Sequence, residues 1–280
     1  NTLITQFQLR LTQSCATVER TWKSGHRGPV TAFAFTDDTH FLATGSADST
    51  VKVWDLKAQY CTQTLKECSG CITCVQFSPS FFLSDSLTVE VKQFLFYGDD
   101  MGRLFVRHLT SDKVDQQVLN VSHHTSPISA IIFDQKFVYT CARDSTIVKL
   151  NGEMSFALEK IIPTFESLES MIFSATDVNF GSADNTDKNK KRAKSTEDVI
   201  LLSGGESGCL KLWSVSKGTC FKTLKAVEGG PIVQVLHCEA LRLYLTVNYD
   251  QSFAIVSADS FEIEGMLQYD IRKLSVIFID

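Results

Sequence analysis

At 280 residues, with 44% hydrophobic and 21% charged side chains, the chain is long enough to bury one sizeable core. A net charge of −5 excludes a surface built throughout to hold nucleic acid. No apolar run approaches the roughly 18 residues of a membrane span and no secretory leader is visible. The nine cysteines lack framework spacing, which points to a reducing compartment rather than a disulfide scaffold.

Twenty Phe and only five Pro suit packed sheets made mostly of strands. The chain starts at Asn1 rather than Met and reads as an excerpt. Short strands are expected at Thr2–Thr5, Gln8–Thr12 and Thr17–Lys23. From Gly25 to Leu56 three strands follow in succession. Val30–Phe35 alternates polar and apolar residues, Phe41–Gly45 is rich in small residues, and Val51–Trp54 alternates again. Asp37-Asp38 and Ala47-Asp48-Ser49 supply the turns, and a fourth strand is expected near Thr62–Leu65.

The same grouping recurs downstream. Strands are expected at Cys71–Phe77, Phe94–Gly98 and Arg103–Leu109, with an insertion at 78–92. The next group comprises Ile131–Phe133, Phe137–Cys141 and Thr146–Leu150, behind His123-His124. Leu168–Phe173, Val199–Ser203, Cys209–Val215 and Thr219–Leu224 follow, with a polar insertion at 174–198. The last full group is Pro231–Leu236, Leu241–Val247, Ser252–Val256 and Phe261–Leu267, and Leu274–Ile279 is one further apolar segment. Third-strand ends fall at Thr12, Trp54, Arg107, Leu150, Trp213 and Val256. Outside the two insertions, that spacing matches a repeat of about 40–45 residues.

Gly25-His26 before the first strand and Trp54-Asp55 closing the third identify residues 25–66 as a blade of the WD-repeat β-propeller family. The resemblance implies an all-β fold, a WD-repeat β-propeller of four-stranded antiparallel blades with about six in view. Residues 1–23 form a partial blade, 25–66 the complete one, and 71–121, 123–164, 165–225 and 226–268 divergent ones. Residues 269–280 either close the ring or begin a further blade of a seven-bladed or tandem propeller. The family also implies a hydrogen-bonded tetrad of His26, Ser46, Asp48 and Trp54, since a buried indole N–H needs an acceptor and the hydroxyl and imidazole behind it need partners. Arg107, Leu150 and Val256 replace the Trp elsewhere, and Ser207 stands where the fifth blade needs Asp.

Cys68, Cys71 and Cys74 have ligand-like spacing, but no fourth ligand follows and a strand would send Cys71 and Cys74 to opposite faces, so no metal is expected. His123-His124 sits where Gly25-His26 does and reads as part of a blade. Ser203–Gly208 is glycine-rich but lies between strands rather than before a helix, so it reads as a hairpin. No nucleophile elbow is present, and His26, Ser46 and Asp48 are claimed by the blade, so no catalytic residue and no cofactor are expected. One basic run stands out, with Lys188, Lys190, Lys191, Arg192 and Lys194. It reads as a solvated loop, as an import signal, or as a contact to RNA phosphates.

Local wording extends the resemblance. Thr21–Val30, Leu42–Asp55, Glu166–Glu169, Leu201–Trp213 and Gly218–Cys220 follow one another as in the first propeller of the tandem-propeller subunits of the small-subunit processome. That resemblance implies a non-catalytic scaffold of the nucleus and nucleolus, in ribosome biogenesis and rRNA processing. Its partners would be other WD-repeat proteins of a small nucleolar ribonucleoprotein (snoRNP), with pre-ribosomal or small nucleolar RNA as a further contact. No membrane and no small-molecule substrate are implied. Two rivals remain: a ubiquitin-ligase substrate receptor, which needs a basic or aromatic pocket at the channel mouth, and a channel-site enzyme, which needs convergent acids or histidines there.

Overall fold

The computed structural model describes residues 3–10, 15–83, 93–109, 118–174, 198–227 and 230–268. The basic run at 188–194, the 269–280 segment and most of both insertions lie outside the described residues. The described strands fall into two compact units, Asn1–Ser122 and His123–Asp280.

In the first unit, β1 (Leu3–Arg10) and β2 (Cys15–Lys23) form a two-stranded sheet. A second sheet follows in chain order, β3 (Val30–Phe35), β4 (Phe41–Ser46), β5 (Val51–Asp55) and β6 (Tyr60–Leu65). The third is β7 (Ile72–Phe77), β8 (Phe94–Asp99), β9 (Arg103–His108) and β10 (Val118–Ser122). The other unit holds three more four-stranded meanders. They are β11 (Ile128–Phe133), β12 (Phe137–Ala142), β13 (Thr146–Asn151) and β14 (Ala157–Pro163); β15 (Leu168–Phe173), β16 (Ile200–Gly205), β17 (Cys209–Ser214) and β18 (Thr219–Lys225); and β19 (Ile232–Cys238), β20 (Leu243–Asn248), β21 (Ser252–Ser257) and β22 (Ile263–Gln268). Every pairing among the described residues is antiparallel, so the described structure is all-β and built of sheets of the propeller-blade kind.

The sheets repeat one another in detail. Each first strand carries a register shift just after its first paired residue, at Val30, Ile72, Ile128, Leu168 and Ile232. Such a bulge bends the strand and re-aims a side chain. Thr31 and Ser129, at that bulge, each donate to a backbone carbonyl of the next sheet, Ile72 at 2.6 Å and Leu168 at 2.7 Å. The turn between second and third strands has one left-handed residue at the same place in each, namely Ser49, Gly102, Ser145, Gly208 and Gln251.

Two sequence expectations are corrected at the N-terminus. Thr2–Thr5 and Gln8–Thr12 are not separate strands, because β1 runs unbroken from Leu3 to Arg10 with only a bulge between Gln6 and Phe7. No Gly, Pro, Asn or Asp interrupts that stretch to turn it. The bulge that precedes Trp54 on β5 precedes Phe7 here, so Phe7 rather than Thr12 holds the repeat position.

Apolar side chains are buried between successive sheets. Val51, Val53 and Leu65 meet Ile72, Val75 and Leu95 in the first unit. In the second, Ile147 and Ile162 meet Leu168 and Met171, and Leu202 and Leu212 meet Ile232 and Val235. Glycine lets the backbones close up: a Cβ at Gly45 would lie 2.4 Å from Ile72 Cγ2, and one at Gly204 would lie 2.6 Å from Ile232 Cγ2.

Candidate interaction site

Polar side chains in the second sheet are linked in a single relay. Trp54, 8% exposed, donates its indole N–H to Thr44 Oγ1 at 3.0 Å. Thr44 Oγ1 lies 2.9 Å from His26 Nε2, and His26 Nδ1 faces Asp48 at 3.2 Å and Thr50 Oγ1 at 3.0 Å. Asp48 also accepts from the Arg27 backbone N–H at 2.7 Å and the Thr50 hydroxyl at 2.6 Å. The partners fit one direction of donation, indole to hydroxyl to Nε2, with Nδ1–H toward the carboxylate.

Ser46 is not the relay hydroxyl. Leu42 pairs with Trp54, so Thr44 is the diagonal neighbour on the same face, whereas Ser46 lies two residues, or about 6.6 Å, farther along β4. Ser46 is buried and instead accepts the Asp48 backbone N–H at 3.1 Å, shaping the turn.

The fourth sheet contains a second relay without a Trp. His124 Nε2 lies 2.8 Å from Thr140 Oγ1, and its Nδ1 lies 3.0 Å from Asp144. Asp144 accepts from Thr146 at 2.7 Å and from the Thr125 N–H at 2.9 Å. Leu150 occupies the Trp position, which is why the absence of Trp hid this copy. The signal was in the sequence: Thr-x3-Asp-x-Thr occurs at Thr44–Thr50 and again at Thr140–Thr146.

The third sheet substitutes charge. Cys68 and Arg107 stand at the His and Trp positions; Arg107 pairs with Glu67, which also takes the Tyr97 hydroxyl at 3.3 Å. Arg103 Nε donates to Asp99 at 2.7 Å, and Cys68 Sγ lies 3.2 Å from the same carboxylate. Burial pushes the Cys68 thiol up to about 11 and the Cys74 thiol to about 12. In the fifth sheet Trp213 donates to Ser203 at 2.9 Å, and Ser207 takes the turn position.

Burial holds the His26 and His124 rings below the usual imidazole range, against the opposing charge and hydrogen bond of Asp48 and Asp144. Burial alone would raise the two aspartates, but hydrogen bonds from Thr50 and the Arg27 N–H, and from Thr146 and the Thr125 N–H, outweigh it and hold both below the usual carboxylate range. Each unfolded histidine therefore binds protons more readily than its folded counterpart, so stability is full above about pH 6.5 and falls as pH drops below it. The aspartates add a second loss below about pH 4. The melting temperature is expected to decline from pH 7.5 to 5, by about 2–4 °C per kcal/mol lost, and less steeply in His124→Asn. A melting temperature unchanged over that range would contradict the neutral-relay assignment.

Above the first relay lies a cleft of about 410 Å³ lined by Gly25, Arg27, Asp48, Thr50, Lys52, Thr64 and Lys66. Lys52 Nζ donates to Thr64 Oγ1 at 3.1 Å across β5 and β6. The sequence reading missed this cleft, because strand pairing and the loop before β3 bring its basic groups together.

Comparison with known proteins points to the same kind of repeat. Residues 17–55 match the family described as WD domain, G-beta repeat, a span that takes in most of β2 and all of β3, β4 and β5. Sheets that repeat one register are consistent with the blades of the WD-repeat propeller that this match describes. The chain resembles Transducin beta-like protein 3. It is 24% identical to the Rattus norvegicus protein over 271 residues, 94% of this chain and 31% of that protein. The Homo sapiens protein gives 24% over 268 residues, 94% of this chain and 30% of the relative. Protein LST8 homolog of Dictyostelium discoideum is 28% identical over 159 residues, 44% of this chain and 52% of the relative. The chain thus spans about a third of the length of the Transducin beta-like relatives.

Proposed function

We propose that the chain is a non-catalytic scaffold acting in assembly of the small-subunit processome on pre-ribosomal RNA, in the nucleolus. The observation that carries this reading is likeness to Transducin beta-like protein 3 along 94% of the chain, rather than over the WD repeat alone. The relays support a structural rather than a chemical role. Their polar groups are paired with one another, Thr44 with Trp54 and His26 and Thr140 with His124, as groups that hold a fold together are. Protein partners of the WD-repeat kind, and RNA, would meet the loops between strands. The run Lys188, Lys190, Lys191, Arg192 and Lys194 belongs to this proposal as an import or RNA-phosphate contact.

Affinity purification of the tagged full-length protein, with protein and RNA identification, is expected to recover WD-repeat subunits together with small nucleolar and precursor ribosomal RNA. Depleting the protein is expected to raise the level of unprocessed precursor. Recovery of a cullin-type ligase in place of those particles would favour the substrate-receptor reading.

A further inference from the structure

The fifth sheet shows what the cleft of the second sheet lacks. On β17, Lys211 projects beside β18 and lies 2.8 Å from the carboxylate of Glu166, with side chains 19% and 8% exposed. The register puts Lys52 of β5 in the place of Lys211, each opposite a threonine of the outer strand, Thr64 and Thr223. Glu166 stands two residues before Leu168, the first paired residue of β15, and the corresponding residue before Val30 is Gly28. The second sheet therefore keeps the cation and lacks the carboxylate that matches it.

Among the described residues, no carboxylate lies within ion-pair distance of Lys52, Arg27 or Lys66. Asp48 borders the cleft, but its oxygens are engaged by His26, Thr50 and the Arg27 N–H. We propose that this cleft receives an acidic side chain of a partner protein, a glutamate or aspartate supplied in trans where the fifth sheet supplies Glu166 in cis. Lys52 and Lys66 would pair with the carboxylate and Thr64 would offer its hydroxyl, an arrangement of charge-assisted hydrogen bonds.

The observations favour a carboxylate over nucleic acid. The internal precedent is a carboxylate, and the Asp48 charge beside the cleft penalises a phosphate backbone more than a single carboxylate. The inference rests on the scaffold reading only in expecting a protein partner, and it is measured on the purified chain rather than through recovery of particles, so either can fail alone.

The test is fluorescence anisotropy of the purified chain with a labelled hexaglutamate peptide and, separately, a labelled hexauridylate. Lys52→Gln combined with Lys66→Gln is expected to weaken hexaglutamate binding roughly tenfold or more, the factor that loss of a charge-assisted contact carries. Lys57→Gln, an exposed lysine outside the cleft, is expected to leave it unchanged. Both sets alter surface side chains, and a matching melting temperature verifies that the fold is intact. Equal hexaglutamate binding by parent and double variant would overturn the proposal. So would tighter binding of hexauridylate that the same double variant removes, which would make the cleft an RNA contact.

Discussion

Trp54→Ala is expected to destabilise the first unit by about 3–5 kcal/mol, the range for truncating a large core aromatic. The indole is buried, meets Trp22 edge-on at a centroid distance of 6.5 Å, and feeds the relay through Thr44. The decisive comparison lies one step further along. Thr44→Val keeps the shape but leaves the Trp54 N–H and His26 Nε2 without their shared partner, at a cost of about 1–3 kcal/mol. Ser46→Ala removes only a hydrogen bond to the Asp48 N–H and should cost about 1 kcal/mol. Denaturant melts in which Ser46→Ala is the more damaging of the two would return the relay to Ser46.

Gly45→Ala is the second large effect, and it acts between sheets. The added Cβ would sit 2.4 Å from Ile72 Cγ2 and 2.8 Å from Val75 Cγ2, with buried strands on both sides. Overpacking of this kind costs about 1–3 kcal/mol. Ile72→Ala alone is expected to cost about 2–5 kcal/mol. The double variant should cost less than the two added together, because the methyl enters the space that Ile72 vacates. Strictly additive melts would place the cost of Gly45→Ala in the backbone of β4 instead. Gly204→Ala should behave alike against Ile232.

Much of the fold was legible because each sheet repeats a period-two strand pattern between Asp-, Ser- and Gly-rich turns. β3, β5, β7 and β16 fall where the alternation and small-residue runs put them. The first sheet was harder to read, since the polar residues of Leu3–Arg10 look like breaks although nothing there turns the chain. At the relay, sequence identifies the face but not the reach. Thr44 and Ser46 share a face of β4, and only the pairing of Leu42 with Trp54 decides between them. The His124 relay was hidden by treating Trp as the mark of a complete sheet, when the carboxylate and two threonines recur without it. The basic cleft was least legible, because Lys52 and Lys66 acquire meaning only beside Gly28, once Lys211 is seen matched to Glu166.

The bulge residues Thr31 and Ser129 reach the first strand of the following sheet, 41 and 39 residues downstream. During synthesis this imposes an order. Within each unit, a finished meander still shows water an apolar face until some 40 further residues have left the ribosome and the next first strand docks. The leading sheet is thus always the unsealed one, and the exposed surface moves down the chain as translation proceeds. For an all-β protein, contacts this close in sequence favour fast local closure. They also fix where a stalled or truncated chain is most prone to aggregate, namely the last sheet completed before the break.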